Sequence, residues 1–177
     1  MKKTGLKNLI IITIFLSLFV GKITNASPKK KTVLVHFVAD IKKNDGPPCV
    51  AFDMAYTNIM LGNKVVMLFD ADASWNLKLL KKDGKNDFDR YTIPADLKAL
   101  IYEQFNDNSL KKLKTFGDFL SYMKRKGAEI YVNGTWNALT SVEKTIKGKT
   151  RMPAYVTPLT LKEMAKLINS ADSYMRY

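Results

Sequence analysis

The 177-residue chain has one cysteine, one histidine and two tryptophans. With a single thiol no internal disulfide can form, so Cys49 is buried, kept reduced or paired with another molecule. With a single histidine, His36, set inside an apolar run, neither a Ser-His-Asp arrangement nor a zinc-type cluster can be assembled. A packed, hydrogen-bonded histidine is the simpler reading. Acidic residues are also scarce, 16 against 29 Lys and Arg, which leaves a formal net charge of +13. The cations are scattered over 78–85, 111–126 and 144–151, without interleaved aromatics or a recognised motif. That pattern describes a solvated surface and argues against nucleic acid, while an anionic partner or membrane surface stays open. No internal repeat or low-complexity segment is visible, and neither a cofactor nor a metal ion is expected.

Long hydrophobic runs are confined to the beginning. Lys2, Lys3 and Lys7 precede an apolar stretch from Leu9 to Val20, broken only by Thr13 and Ser17, and Thr24-Asn25-Ala26 offers small residues for cleavage after Ala26. The stretch is shorter than the roughly 20 residues a membrane-spanning helix needs. The reading is therefore a secretory signal at 1–26 and a single domain at 27–177, exported to the periplasm or secreted, with an uncleaved signal as the one membrane attachment. Losing Lys2, Lys3, Lys7 and Lys22 takes the charge from +13 to +9.

In the remainder, apolar β-branched runs alternate with helical periodicity. Val33 to Val38 and Val65 to Phe69 read as strands buried on both faces, and the helix between them, residues 48–61, opens on Pro48 and closes at Gly62. Its Phe52, Tyr56 and Met60 form a second apolar face, which needs either a covering helix from this chain or another subunit. Residues 75–82 and 94–105 are expected as helices, with Lys81 to Asp89 as a mobile loop between them. A further helix starts at Thr115 and ends at Gly127, followed by a strand over 128–132. Thr160 and Glu163 form a capping box for a helix carrying Leu161, Met164, Ala165 and Ile168, and Tyr174 to Tyr177 adds a last strand. The sum is an α/β fold: a three-layer, flavodoxin-like sandwich around a mainly parallel sheet of about five strands. Ligands of such sheets sit beyond the carboxyl ends of the strands, where 39–49, 70–75 and 133–138 should meet.

The segments CVAFDMAYTNIMLGNKVVMLFDADA, FLSYMKRKGAEIYVNGTWNAL and VTPLTLKEMAKLINSADSYMRY, in this order, resemble the DsrE/DsrF family of small sulfur-relay proteins. Many members of that family carry a sulfur-accepting cysteine just after the third strand. Here Asn133 occupies that position, and Trp136 stands near that of a second cysteine found in some relatives. An amide neither attacks nor carries a persulfide, so the resemblance implies a diverged member without the usual transfer chemistry. It also implies a homo-oligomer, with Phe52, Tyr56 and Met60 as interface candidates, and a thiol or persulfide partner protein.

Cys49 follows Gly46-Pro47-Pro48 at a helix start, a place that favours thiolate through the backbone dipole, and is the one candidate for a relocated nucleophile. Packing is the commoner fate of a lone cysteine. Asp40, Asp70 and Asp72 follow strand ends and are candidates for converging as oxygen ligands of a hard cation or for orienting a polar ligand, although turn and cap duty explains Asp70 and Asp72 more simply. Asn133, Gly134, Thr135 and Trp136 supply an amide, a flexible backbone, a hydroxyl and an indole for a small-ligand lip. The competing reading is a turn in which Asn133 caps a helix and Trp136 fills core. The two functional readings are an exported accessory or binding protein linked to sulfur or redox physiology, holding a ligand or a partner's loop, and a sulfur-transfer or thiol-redox enzyme working through Cys49.

Overall fold

The computed structural model describes residues 29–177, so the signal reading lies outside the described residues. The chain forms β1 (Thr32–Phe37), α1 (Gly46–Met60), β2 (Lys64–Phe69), α2 (Ala71–Trp75), α3 (Ala95–Phe105), a 3-10 turn (Asn108–Lys112), α4 (Phe116–Arg125), β3 (Glu129–Asn133), α5 (Gly134–Leu139), β4 (Thr157–Leu159), α6 (Leu161–Ser170) and β5 (Ser173–Arg176). All strand pairs are parallel and the sheet order is β4-β3-β2-β1-β5. This is a three-layer α/β sandwich of the flavodoxin-like kind. The chain steps from β1 to β4 in one direction, then α6 carries it back across the sheet to β5 beside β1.

Alternation along the strands divides two unequal cores. Val33, Val35, Phe37, Val65, Met67, Phe69, Ile130 and Val132 face the larger one, shared with α1, α3 and α4. Leu34, Val66 and Leu68 face the smaller one, which Met164 of α6 covers. Phe52 is the hub of the larger core, with ring centroids 5.2 Å from Phe37, 5.4 Å from Phe88, 5.0 Å from Phe116 and 5.8 Å from Phe119. Its removal to alanine falls in the class that costs about 3–5 kcal/mol.

Local chemistry explains the helix limits. Pro47 tolerates its place in the first turn of α1 because that N–H has no intrahelical partner, and Gly62, with φ 80°, turns the chain out at the other end. Thr115 and Asp118 make a reciprocal capping box on α4, and Thr160 and Glu163 make one on α6.

Three expectations change. The helix expected over 75–82 is absent: α2 ends at Trp75, because the fully buried Asn76 turns its side chain to Asp40, the Ile41 N–H and Asp87. The expected mobile loop is built: Phe88 is buried, Asn86 and Asp89 exchange hydrogen bonds, and Arg90 grips Asp83 through both carboxylate oxygens at 2.8 and 2.7 Å. The second apolar face of α1 is covered from within the chain. Phe52 and Tyr56 are fully buried, so neither is available to another subunit, and Met60 alone of the three keeps exposure. The fifth strand is β4, three residues around Pro158 at the sheet edge, a position where a missing N–H costs no ladder bond. Among the described residues no helix is long and apolar enough to cross a membrane.

Candidate functional site

After β1 the chain turns through Asp40, whose buried carboxylate accepts from Asn76 Nδ2 at 2.6 Å and from the Lys42 N–H at 3.0 Å. The Ile41 N–H in turn donates to the Asn76 side-chain carbonyl at 3.1 Å. This brace fixes one wall of a cleft of about 340 Å³ lined by Asp40, Lys42, Lys43, Asp72 and Trp75, at the carboxyl ends of β1 and β2. Lys43 pairs with Asp72 at 2.9 Å across it, and Lys42 pairs with Asp87 at 2.9 Å. The Lys78 ammonium lies 4.6 Å from the centre of the Trp75 ring.

Asp70, at the end of β2, serves a different cluster. Its Oδ1 accepts from the Ala71 N–H, capping α2, and from Asn133 Nδ2 at 2.7 Å. Its Oδ2 lies 3.3 Å from His36 Nε2, within ion-pair distance but outside hydrogen-bond geometry. Burial works to raise the Asp70 pKa, yet the His36 and Asn133 side chains and the Ala71 N–H outweigh it and hold the carboxyl below its ordinary value. On the other side of the imidazole, Nδ1 is 2.7 Å from the Tyr174 hydroxyl of β5. The arrangement ties the ends of β5, β1, β2 and β3 together, and Ala71 beside it holds a left-handed φ of 45°.

Asn133 also accepts the Trp136 N–H at 3.0 Å, capping α5. Both ends of its amide are thus spoken for. Gly134 is no flexible lip: a Cβ there would stand 2.0 Å from the Ile146 carbonyl oxygen and 3.1 Å from that of Leu159. The glycine is required by close backbone approach. Thr135 and Trp136 are half-buried, and the Trp136 indole N–H has no partner among the described residues. The neighbouring Asn137 is nearly fully buried with both amide atoms likewise unpartnered. The sequence-derived site residues therefore fall into two groups: Asp40 on the cleft, and Asp70 with Asn133 in the capping cluster. Asp40, Asp70 and Asp72 do not converge, and among the described residues no group of three His, Cys, Asp or Glu side chains is placed to hold a metal ion.

Cys49 stands apart from both. It lines a pocket of about 280 Å³ with Asp45, Arg90, Tyr91, Thr92, Pro94 and Phe116. The expected activation by the helix start is reversed. Burial, then the negative charges of Asp45 and Asp53, push the thiol up to about 11, against a smaller pull from its backbone hydrogen bond.

One feature of this end of the sheet was hidden by sequence distance. Lys81, following α2, meets Lys144, Arg151 and Thr150 around a cavity of about 540 Å³ that also includes Ala138, Ser141, Val142 and Glu143. In the sequence these cations lie in two separate basic stretches. The signal that could have joined them is that both stretches follow strands ending at the same edge. Comparison with models of known protein families and with curated proteins gives no match to this chain.

Proposed function

We propose that the chain is an exported, DsrE/F-like accessory or binding protein, linked to sulfur or redox physiology, that holds a small polar ligand or a partner's loop at the carboxyl ends of its strands and carries no sulfur on a thiol of its own. The observation behind this reading is the state of Cys49: a half-buried thiol with its pKa pushed up to about 11 has only about 10⁻⁴ of its population as thiolate at pH 7. Asn133, standing where the resembling family has its cysteine, is committed to Asp70 and to the start of α5. What supports binding is the polar cleft of Asp40, Lys42, Lys43, Asp72 and Trp75, which offers charges of both signs beside an aromatic face.

Alkylation of the native protein with iodoacetamide at pH 7, and separate treatment with a persulfide donor, each read by mass spectrometry, test this. The expected result is modification of Cys49 at least about tenfold slower than in the urea-unfolded chain, and no native persulfide. A stoichiometric native adduct would instead establish the relocated-nucleophile reading, in which the pocket beside Arg90 admits the sulfur donor.

A further inference from the structure

The cavity between Lys81, α5 and the 141–151 segment has an unusual charge account. Three cations line it, Lys81, Lys144 and Arg151, and none has a carboxylate within ion-pair distance among the described residues. The one acid, Glu143, is nearly fully buried and has both oxygens turned to its own loop: Oε1 accepts the Arg151 N–H at 2.5 Å and Oε2 accepts the Thr150 hydroxyl at 2.8 Å. It shapes the segment, and the fit is close, since a Cβ on Gly148 would stand 2.9 Å from the Glu143 side chain. Arg151 Nε is buried without a hydrogen-bond partner, a donor that normally finds one. Ser141, on the rim, holds a left-handed φ of 57°, the kind of backbone strain that folds retain at working sites. Lys78 reports the local field: burial, then repulsion from Arg151 and Lys42, lowers its pKa.

Cations held together with too little counter-charge repel one another, and a ligand that neutralises the excess recovers that energy. Three cations less one carboxylate match a dianion. The guanidinium fork and two ammonium groups suit the oxygens of a phosphate. The volume exceeds that of a bare phosphate and lies in the range of small-molecule sites, with Ala138 and Val142 offering apolar wall for an organic remainder. We propose that this cavity binds the phosphate group of a small phosphorylated molecule through Arg151, Lys144 and Lys81, at a place separate from the Asp40 cleft. The same oxyanion could be supplied by a phosphate monoester or by free phosphate.

Isothermal titration of the purified full-length chain with glycerol 3-phosphate, and in parallel with inorganic phosphate, at constant ionic strength, tests the assignment. The expected result is saturable one-site binding, weakened at least about tenfold in Lys144→Gln and in Lys81→Gln, both exposed lysines whose loss leaves the fold intact. Lys112→Gln, an exposed lysine outside the cavity with the same change of charge, should leave binding unaltered. Tighter binding of the monoester identifies an organic phosphate as occupant, and equal or tighter binding of inorganic phosphate identifies the free ion. No saturable heat with either probe, or equal weakening by Lys112→Gln, would overturn the proposal. Because Cys49 and the Asp40 cleft lie outside this cavity, that failure would leave the reading of the thiol untouched.

Discussion

Asp53 lies one helical turn beyond Cys49, with one carboxylate oxygen buried and unpartnered, and burial raises its pKa to about 6. A carboxyl whose pKa is higher in the folded than in the unfolded chain contributes stability that is fully present below about pH 3.8 and is lost as the pH rises through about 6. Asp53→Asn should therefore raise the urea midpoint at pH 8, and the gain should vanish near pH 4. A gain of equal size at both values would place its cause elsewhere. The same substitution removes one of the charges that raise the Cys49 pKa, so native alkylation should quicken. Part of this was readable beforehand: Asp45 and Asp53 flank Cys49 at four residues on either side, on the same helical face, and their sign opposes a thiolate. Burial was not readable, and it is the larger cause.

The long segment between α2 and α4 shows how elements from distant sequence close the core. Tyr56 of α1 and Tyr122 of α4 both donate to Asp107 Oδ2, at 2.9 and 2.5 Å, from the junction between α3 and the 3-10 turn. Burial alone would raise the Asp107 pKa, but the Tyr122 hydroxyl, the Ser109 N–H and the Tyr56 hydroxyl outweigh it and bring it down to about 2. Asp107→Ala should cost about 1–3 kcal/mol at pH 7, because a buried tyrosine hydroxyl loses its acceptor. With the carboxylate present, its contribution should fade as the pH drops from about 4 towards 2. Urea unfolding of both proteins at pH 7 and pH 3 checks the size and the direction, and an equal difference at the two values would contradict it. The four-residue spacing of Phe52, Tyr56 and Met60 announced a second apolar face on α1, but spacing carries no record of what covers it. The cover comes from beyond β2. Likewise the apolar spacing after Trp75 suggested a helix, and the preference of Asn76 for side-chain bonding to Asp40 and Asp87 decided otherwise.

At the scale of the molecule the two faces of the sheet are unequally protected. The larger core joins six buried aromatic residues of helices and loops, Phe52, Tyr56, Phe88, Phe116, Phe119 and Tyr122, to the strands, whereas α6 covers Leu34, Val66 and Leu68 with Met164 buried and Leu161 exposed. Amide hydrogen exchange should find α6 opening by local unfolding well before α1, which should exchange only near the global limit. Matching protection in the two helices would show one cooperative unit. The alternation of strands and helices made the layered parallel fold legible, because continuous apolar runs fit strands covered on both sides. The edge order was not, since β4 has only three residues and a proline at its centre. The pairing of β1 with β5 has a consequence for synthesis. The first strand made waits for residues 173–176 before its second side is hydrogen-bonded, with Tyr177 N–H then donating to the His36 carbonyl. Emerging vectorially from the ribosome, the chain pairs β1 with β2 early but leaves the other side of β1 open until β5 has followed, which delays closure of the sheet.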